Sequence, residues 1–169
     1  LVLNAIALWK QEARNPQRVA AMRAEVRRPF KDAWADFVAL PQAKRFLFAT
    51  ALGTMAFHMQ DIVLEPYGGE ILHLSVGATS ALTAMLATGG LMGFYVAGRQ
   101  LAKQVDPMRV AAYGLLVALP AFSAVIFSAP MAAGWLFRLG ALGIGLGGGL
   151  FDVGTLFTAM RIEKDYVGL

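Results

Sequence analysis

Phe46-Leu47-Phe48-Ala49-Thr50-Ala51-Leu52-Gly53-Thr54-Met55-Ala56-Phe57 carries no charge. The residues directly after it, His58-Met59-Gln60-Asp61-Ile62-Val63-Leu64-Glu65-Pro66-Tyr67-Gly68-Gly69-Glu70, bring in a histidine and three acids. An uncharged run of this kind reads as membrane-embedded helix. On a helix, Thr54, His58, Asp61 and Glu65 recur at spacings of four, three and four, which puts them on one face. Ionisable groups at membrane depth are costly, so such a face is expected to meet a cavity, a guest or a counter-ion. Pro66, lacking an N–H and restricting the residue before it, is expected to end the helix.

Composition agrees with that medium. The chain has 169 residues, 57% hydrophobic and only 15% charged, whereas soluble domains average about a quarter charged. The fold class expected is an all-α integral membrane protein. The absence of cysteine excludes thiolate metal sites, disulfides and cysteine nucleophiles. The chain opens inside an apolar run without a basic leader or cleavage signal, which reads as a piece of a larger membrane protein rather than a signal peptide.

Outward from Phe46, residues 1–9 read as the end of a transmembrane helix. Residues 10–45 form a basic section with nine of the fifteen Lys and Arg residues. Within it Phe30, Trp34, Phe37 and Leu40 lie at helical spacing opposite Lys31, Asp32 and Asp36, an amphipathic pattern suited to a membrane surface. A span needs about 20 mostly apolar residues, and four are predicted: 46–65, 76–98, 110–127 and 132–160. Pro120 is expected to kink the third. The links bearing Lys and Arg (up to Arg45, Arg99 to Arg109, Arg161 to Lys164) alternate with links bearing none. The basic ones are therefore cytoplasmic by the positive-inside rule. Topology thus accounts for the net charge of +4, and no nucleic-acid partner is expected.

The second and fourth spans are rich in small residues. Thr79, Thr83 and Ala87 make one stripe and Gly89 and Gly93 another. Gly143 and Gly147, with Gly145 and Gly149, give overlapping small-xxx-small pairs that allow close approach of a helix or ligand. The same run formally contains G-x-G-x-x-G, but no strand precedes it, so a nucleotide site is excluded. Gly147-Gly148-Gly149 is instead a candidate break in the span.

Five residues are candidates for binding a pigment or other ligand: His58, Asp61, Glu65, Arg138 and Asp152. His58 is the one histidine at membrane depth. It can ligate a metal, including the magnesium of a chlorin, relay a proton, or simply bond a neighbouring helix. Asp61 and Glu65, one turn apart, invite a cation. Arg138, at comparable depth in the fourth span, is the candidate partner, with snorkelling to the head groups as its alternative. Asp152 follows the glycine run as a gate or ligand residue, or as the cap of a broken helix starting at Val153. No catalytic constellation appears, and an enzyme is not expected.

The segment Gln60 to Glu70, with Leu74-Ser75-Val76-Gly77-Ala78-Thr79, Gly89-Gly90 and the region from Gly147 to Thr155, resembles the PucC/LhaA-type light-harvesting assembly proteins. These form the bacteriochlorophyll delivery family of the major facilitator superfamily. The resemblance implies a twelve-helix bundle in two halves. This chain would cover the end of helix 6, the central cytoplasmic loop and helices 7–10. It further implies a multi-pass protein of the bacterial inner (intracytoplasmic photosynthetic) membrane. Its partners would be lipid, antenna polypeptides and the reaction centre complex, and its ligand bacteriochlorophyll, with His58 toward the magnesium. Phe46, Phe48, Met55, Phe57 and Met59 would then pack a phytyl tail. The link Gly98 to Arg109 keeps only the basic ends of the superfamily's cytoplasmic motif, which suits pigment handling or scaffolding better than cycling transport. A proton-coupled small-molecule transporter using Asp61, Glu65 and Arg138 is the alternative.

Overall fold

The computed structural model describes residues 29–167, apart from the side chains of residues 30, 33, 36, 41, 42, 61, 76 and 163–167. The helix end expected at residues 1–9 and the basic section before residue 29 lie outside the described residues. Among the described residues every regular element is helical. α1 (Phe30–Ala39) belongs to one compact unit. There the Trp34 and Phe37 rings stack at 6.2 Å, as their helical spacing dictates.

The second unit holds α2 (Pro41–Pro66), α3 (Val76–Ala102), α4 (Pro107–Ser128) and α5 (Gly134–Val167). All four are long and apolar enough to cross a membrane. Their starts and stops follow local chemistry. The Ser75 side chain accepts from the Ala78 N–H at the start of α3. Asp106 accepts from the Met108 N–H at 2.8 Å, with Pro107 in the first turn of α4. These are the residue types that satisfy a helix's orphan donors without needing one themselves. Thr88, Ser123 and Thr158 return their hydroxyls to carbonyls four residues back, at 2.7, 3.0 and 2.7 Å. These three hydroxyls need not then face hydrocarbon unpaired.

α5 is the central helix, lying along α3 on one side and α4 on the other. Glycine sets both distances. A Cβ on Gly149 would stand 2.5 Å from the Gly90 carbonyl oxygen of α3, and one on Gly147 2.7 Å from the Gly114 oxygen of α4. Gly145 and Gly89 likewise exclude any side chain, against the Leu86 and Leu142 carbonyls. The α3 and α4 backbones thus run in the grooves that the missing side chains leave. α2 is held differently, by rings: Phe57 lies 5.4 Å from Phe151 and 6.4 Å from Phe122 between centroids.

One expectation is met in part and one is corrected. Pro66 is the last residue of the α-helix, yet the helical path goes on: its φ of −59° and ψ of −40° are helical, and a π-turn, Tyr67–Ile71, carries on to Leu72, whose N–H reaches the Tyr67 carbonyl at 3.3 Å. α5 is also unbroken through Gly147-Gly148-Gly149, because neighbouring backbones on both sides hold those glycines straight. Asp152 is therefore a mid-helix residue and caps nothing. Pro120 lies inside α4, which continues past it to Ser128.

Candidate functional site

The pinning of α2 by Phe57 decides where its polar residues go. Phe57 and Leu64 are buried. Ala56, Gln60, Val63 and Tyr67 turn toward α4, where with Phe122 and Ile126 they line a cleft of about 260 Å³. His58 and Glu65, seven residues apart, fall on the opposite edge of α2 and are both exposed. On α5, Phe137, Gly148 and Phe151 turn toward α2, while Gly145 and Gly149 meet α3. Asp152 falls between these two faces and is exposed.

His58 and Asp152 are thus brought together. Each follows a ring of the Phe57–Phe151 pair, and His58 stands within electrostatic range of the Asp152 carboxylate. Arg138 shares the helical phase of Gly145 and Gly149 and is exposed. Along the axes, Glu65 is about 10 Å from His58, and Arg138 about 21 Å from Asp152. The four residues form a strip along the α2–α3 side of α5 rather than one cluster. Thr83, about two turns from the Gly89-Gly90 pair by spacing, is exposed on α3.

The ion pair expected between Glu65 and Arg138 is not formed among the described residues, where Arg161–Asp106 is the pair seen in this unit. The difference is one of helical phase: Arg138 lies on the face of α5 that carries Gly145 and Gly149 against α3, not on the face that Phe137 and Phe151 turn toward α2. The Asp61 side chain lies outside the described residues. Among the described residues no group of three or more His, Asp or Glu side chains is placed to hold a metal ion. An imidazole in the field of a carboxylate can relay a proton or offer a nitrogen to a metal.

Sequence reasoning missed three parts of this arrangement. Phe151 is the ring that positions α2, and it lies over Gly53 as well as against Phe57. Tyr67 stacks on Phe137 at 5.9 Å and donates its hydroxyl to the Ile126 carbonyl at 3.2 Å, tying the top of α2 to α4 and α5. The Asp106-Pro107 start of α4 carried a legible signal, Asp then Pro at a helix N-terminus, although Arg161 as its partner did not.

The sequence pattern of the family described as PUCC protein matches residues 1–168. This chain belongs to that family. Protein PucC of Cereibacter sphaeroides is 45% identical over 168 residues, covering 99% of this chain and 36% of that protein. Protein PucC of Rhodovulum sulfidophilum is 43% identical over 171 residues, covering 100% of this chain and 38% of that protein. A Rhodobacter capsulatus protein, described only as an uncharacterized protein in the puhA-bchM intergenic region, is 48% identical over 162 residues, covering 96% of this chain and 34% of that one. The chain therefore spans about a third of the length of these PucC-family relatives. No solved structure matches it.

Proposed function

We propose that this chain is part of a multi-pass factor of the bacterial photosynthetic inner membrane that assembles light-harvesting complexes. It would hold bacteriochlorophyll for antenna polypeptides as they insert near a reaction centre. The observation that carries this reading is membership of the PucC family along nearly the whole chain. The strip along the α2–α3 side of α5 supports it, because exposed ionisable side chains in membrane-length helices call for a guest or a partner. The assignment is non-catalytic, and the bundle is read as a major-facilitator half.

The residues present fit a chlorin's magnesium on one side only. His58 is exposed and stands within electrostatic range of the Asp152 carboxylate. When bound, the pigment would supply a magnesium able to take a nitrogen ligand. The His58 imidazole would provide that nitrogen, with exposed Thr83 on the neighbouring α3 edge. The α2–α4 cleft cannot serve the same pigment's tail, because it opens on the edge of α2 opposite His58. Of the residues expected to pack a tail, Phe46 and Phe57 are buried in the bundle and Met59 lines the α2–α4 cleft, leaving Phe48 and Met55 exposed elsewhere.

Purification of the full-length protein in mild detergent, followed by an absorption spectrum, tests the reading. Far-red pigment is expected to copurify. In His58→Leu its occupancy is expected to fall at least about tenfold, the lower end of what disturbing a metal ligand's surroundings costs. Colourless protein that moves protons in liposomes would replace this reading with the transporter.

A further inference from the structure

The end of the bundle that carries the basic links holds a second concavity, remote from His58. It is about 470 Å³ and lies where the start of α2, the start of α4 and the end of α5 meet. Arg45 and Arg161 contribute its charge, Phe46, Met108 and Ile162 its apolar lining, and Asp106 its one acid. Arg45 forms no ion pair with any described residue. Arg161 reaches Asp106 only at 3.6 Å, with both side chains more than half exposed. A well-formed charged hydrogen bond is about 2.7–2.9 Å, so the guanidinium is weakly engaged. The Asp106 carboxylate is meanwhile committed at its other oxygen to the Met108 N–H.

We infer that this concavity is a binding site for an anionic phospholipid, its phosphate between Arg45 and Arg161 and the first methylenes of its acyl chains on Phe46 and Ile162. Two guanidinium groups against one carboxylate leave a net positive charge. Arg99, Lys103 and Arg109 on the adjoining link add to it. The positive-inside rule puts this end at the cytoplasmic leaflet, where basic pockets between helices capture anionic head groups. An apolar floor beside the two charges selects an amphiphile over a free ion. Asp106 opposes the anion, so its charge sets the affinity.

The test is native mass spectrometry of the full-length protein released from nanodiscs of phosphatidylglycerol mixed with phosphatidylcholine. Phosphatidylglycerol should be retained over phosphatidylcholine. Retention should fall about fivefold in Arg45→Gln and again in Arg161→Gln, the effect of roughly one interfacial cation each. Asp106→Asn keeps a helix-capping side chain and removes the opposing charge, so retention should rise about fivefold. A rise cannot come from misfolding, so this variant decides the matter if the arginine variants fold poorly. Equal retention of the two lipids, or unchanged retention in Asp106→Asn, overturns the proposal. So does inorganic phosphate raising the melting temperature in phosphatidylcholine nanodiscs as much as phosphatidylglycerol does, which would make the ligand a free anion.

Discussion

The two flanks of α5 are assembled from opposite materials. Toward α3 and α4 it offers glycine, and the contact is backbone on backbone: Gly145 and Gly149 against Leu86 and Gly90, Gly147 against Gly114. Toward α2 it offers large rings, Phe137 and Phe151, which meet Tyr67 and Phe57. In hydrocarbon, water gives helices no hydrophobic reason to associate, so fit and dispersion must hold them. Glycine seams bring many atoms into contact and tolerate no change. Ring contacts keep the backbones apart and leave clefts beside them. The polar strip sits along the loosely built flank, where a guest can enter without dismantling the tight one.

The sharpest way to break this contrast is to put a side chain into the seam. Gly149→Leu would overlap the Gly90 carbonyl and should cost about 3 kcal/mol or more, read as a loss of folded protein in a detergent thermal melt. An unchanged melting temperature would mean that the seam is not tightly closed. Phe57→Ala tests the ring side. It removes the contacts to Phe122 and Phe151 and should cost about 2 kcal/mol, below the usual range for a buried Phe in a soluble core because lipid can fill the space left. Its loss should also free α2, detectable as increased labelling of a cysteine reporter in Thr50→Cys, where the native hydroxyl oxygen is buried. Gly98→Ala sharpens the comparison from the quiet end. It lies on α3 like Gly89 and Gly93, yet nothing stands within 4 Å of an added Cβ. This substitution should stabilise by about 0.5–1 kcal/mol through helix propensity. Any loss in the same melt would show that the outward face of α3 is also packed.

Legibility in the sequence divided along the same line. The all-helical character and four membrane-length helices follow from apolar run length, a property of each segment alone. The glycine pairs were legible as close-approach sites because four-residue spacing of small residues has one mechanical meaning in a membrane. Spacing could not say whether Gly147 to Gly149 weakens a helix or fits it to two neighbours, since that depends on which backbones lie alongside. The face shared by His58 and Glu65 was visible from periodicity. That His58 would come within electrostatic range of Asp152, while Arg138 would take the α3-facing phase of α5 away from Glu65, required the relative rotation of two antiparallel helices. Phe57, Phe151 and the stacking of Tyr67 on Phe137 fix that rotation, and no local pattern announces such long-range ring contacts.

The double glycine seam also limits which motions the bundle can make. Turning α5 by one residue, about 100°, would swing Leu146 or Leu150 into a channel that has no room even for a methyl group, and sliding it would lift each glycine out of register with its carbonyl. The trio α3–α4–α5 is therefore kinematically a single block, and the remaining freedom belongs to α2, pivoting on its aromatic bearings. Any opening of the strip to a visitor must come from that one lever arm.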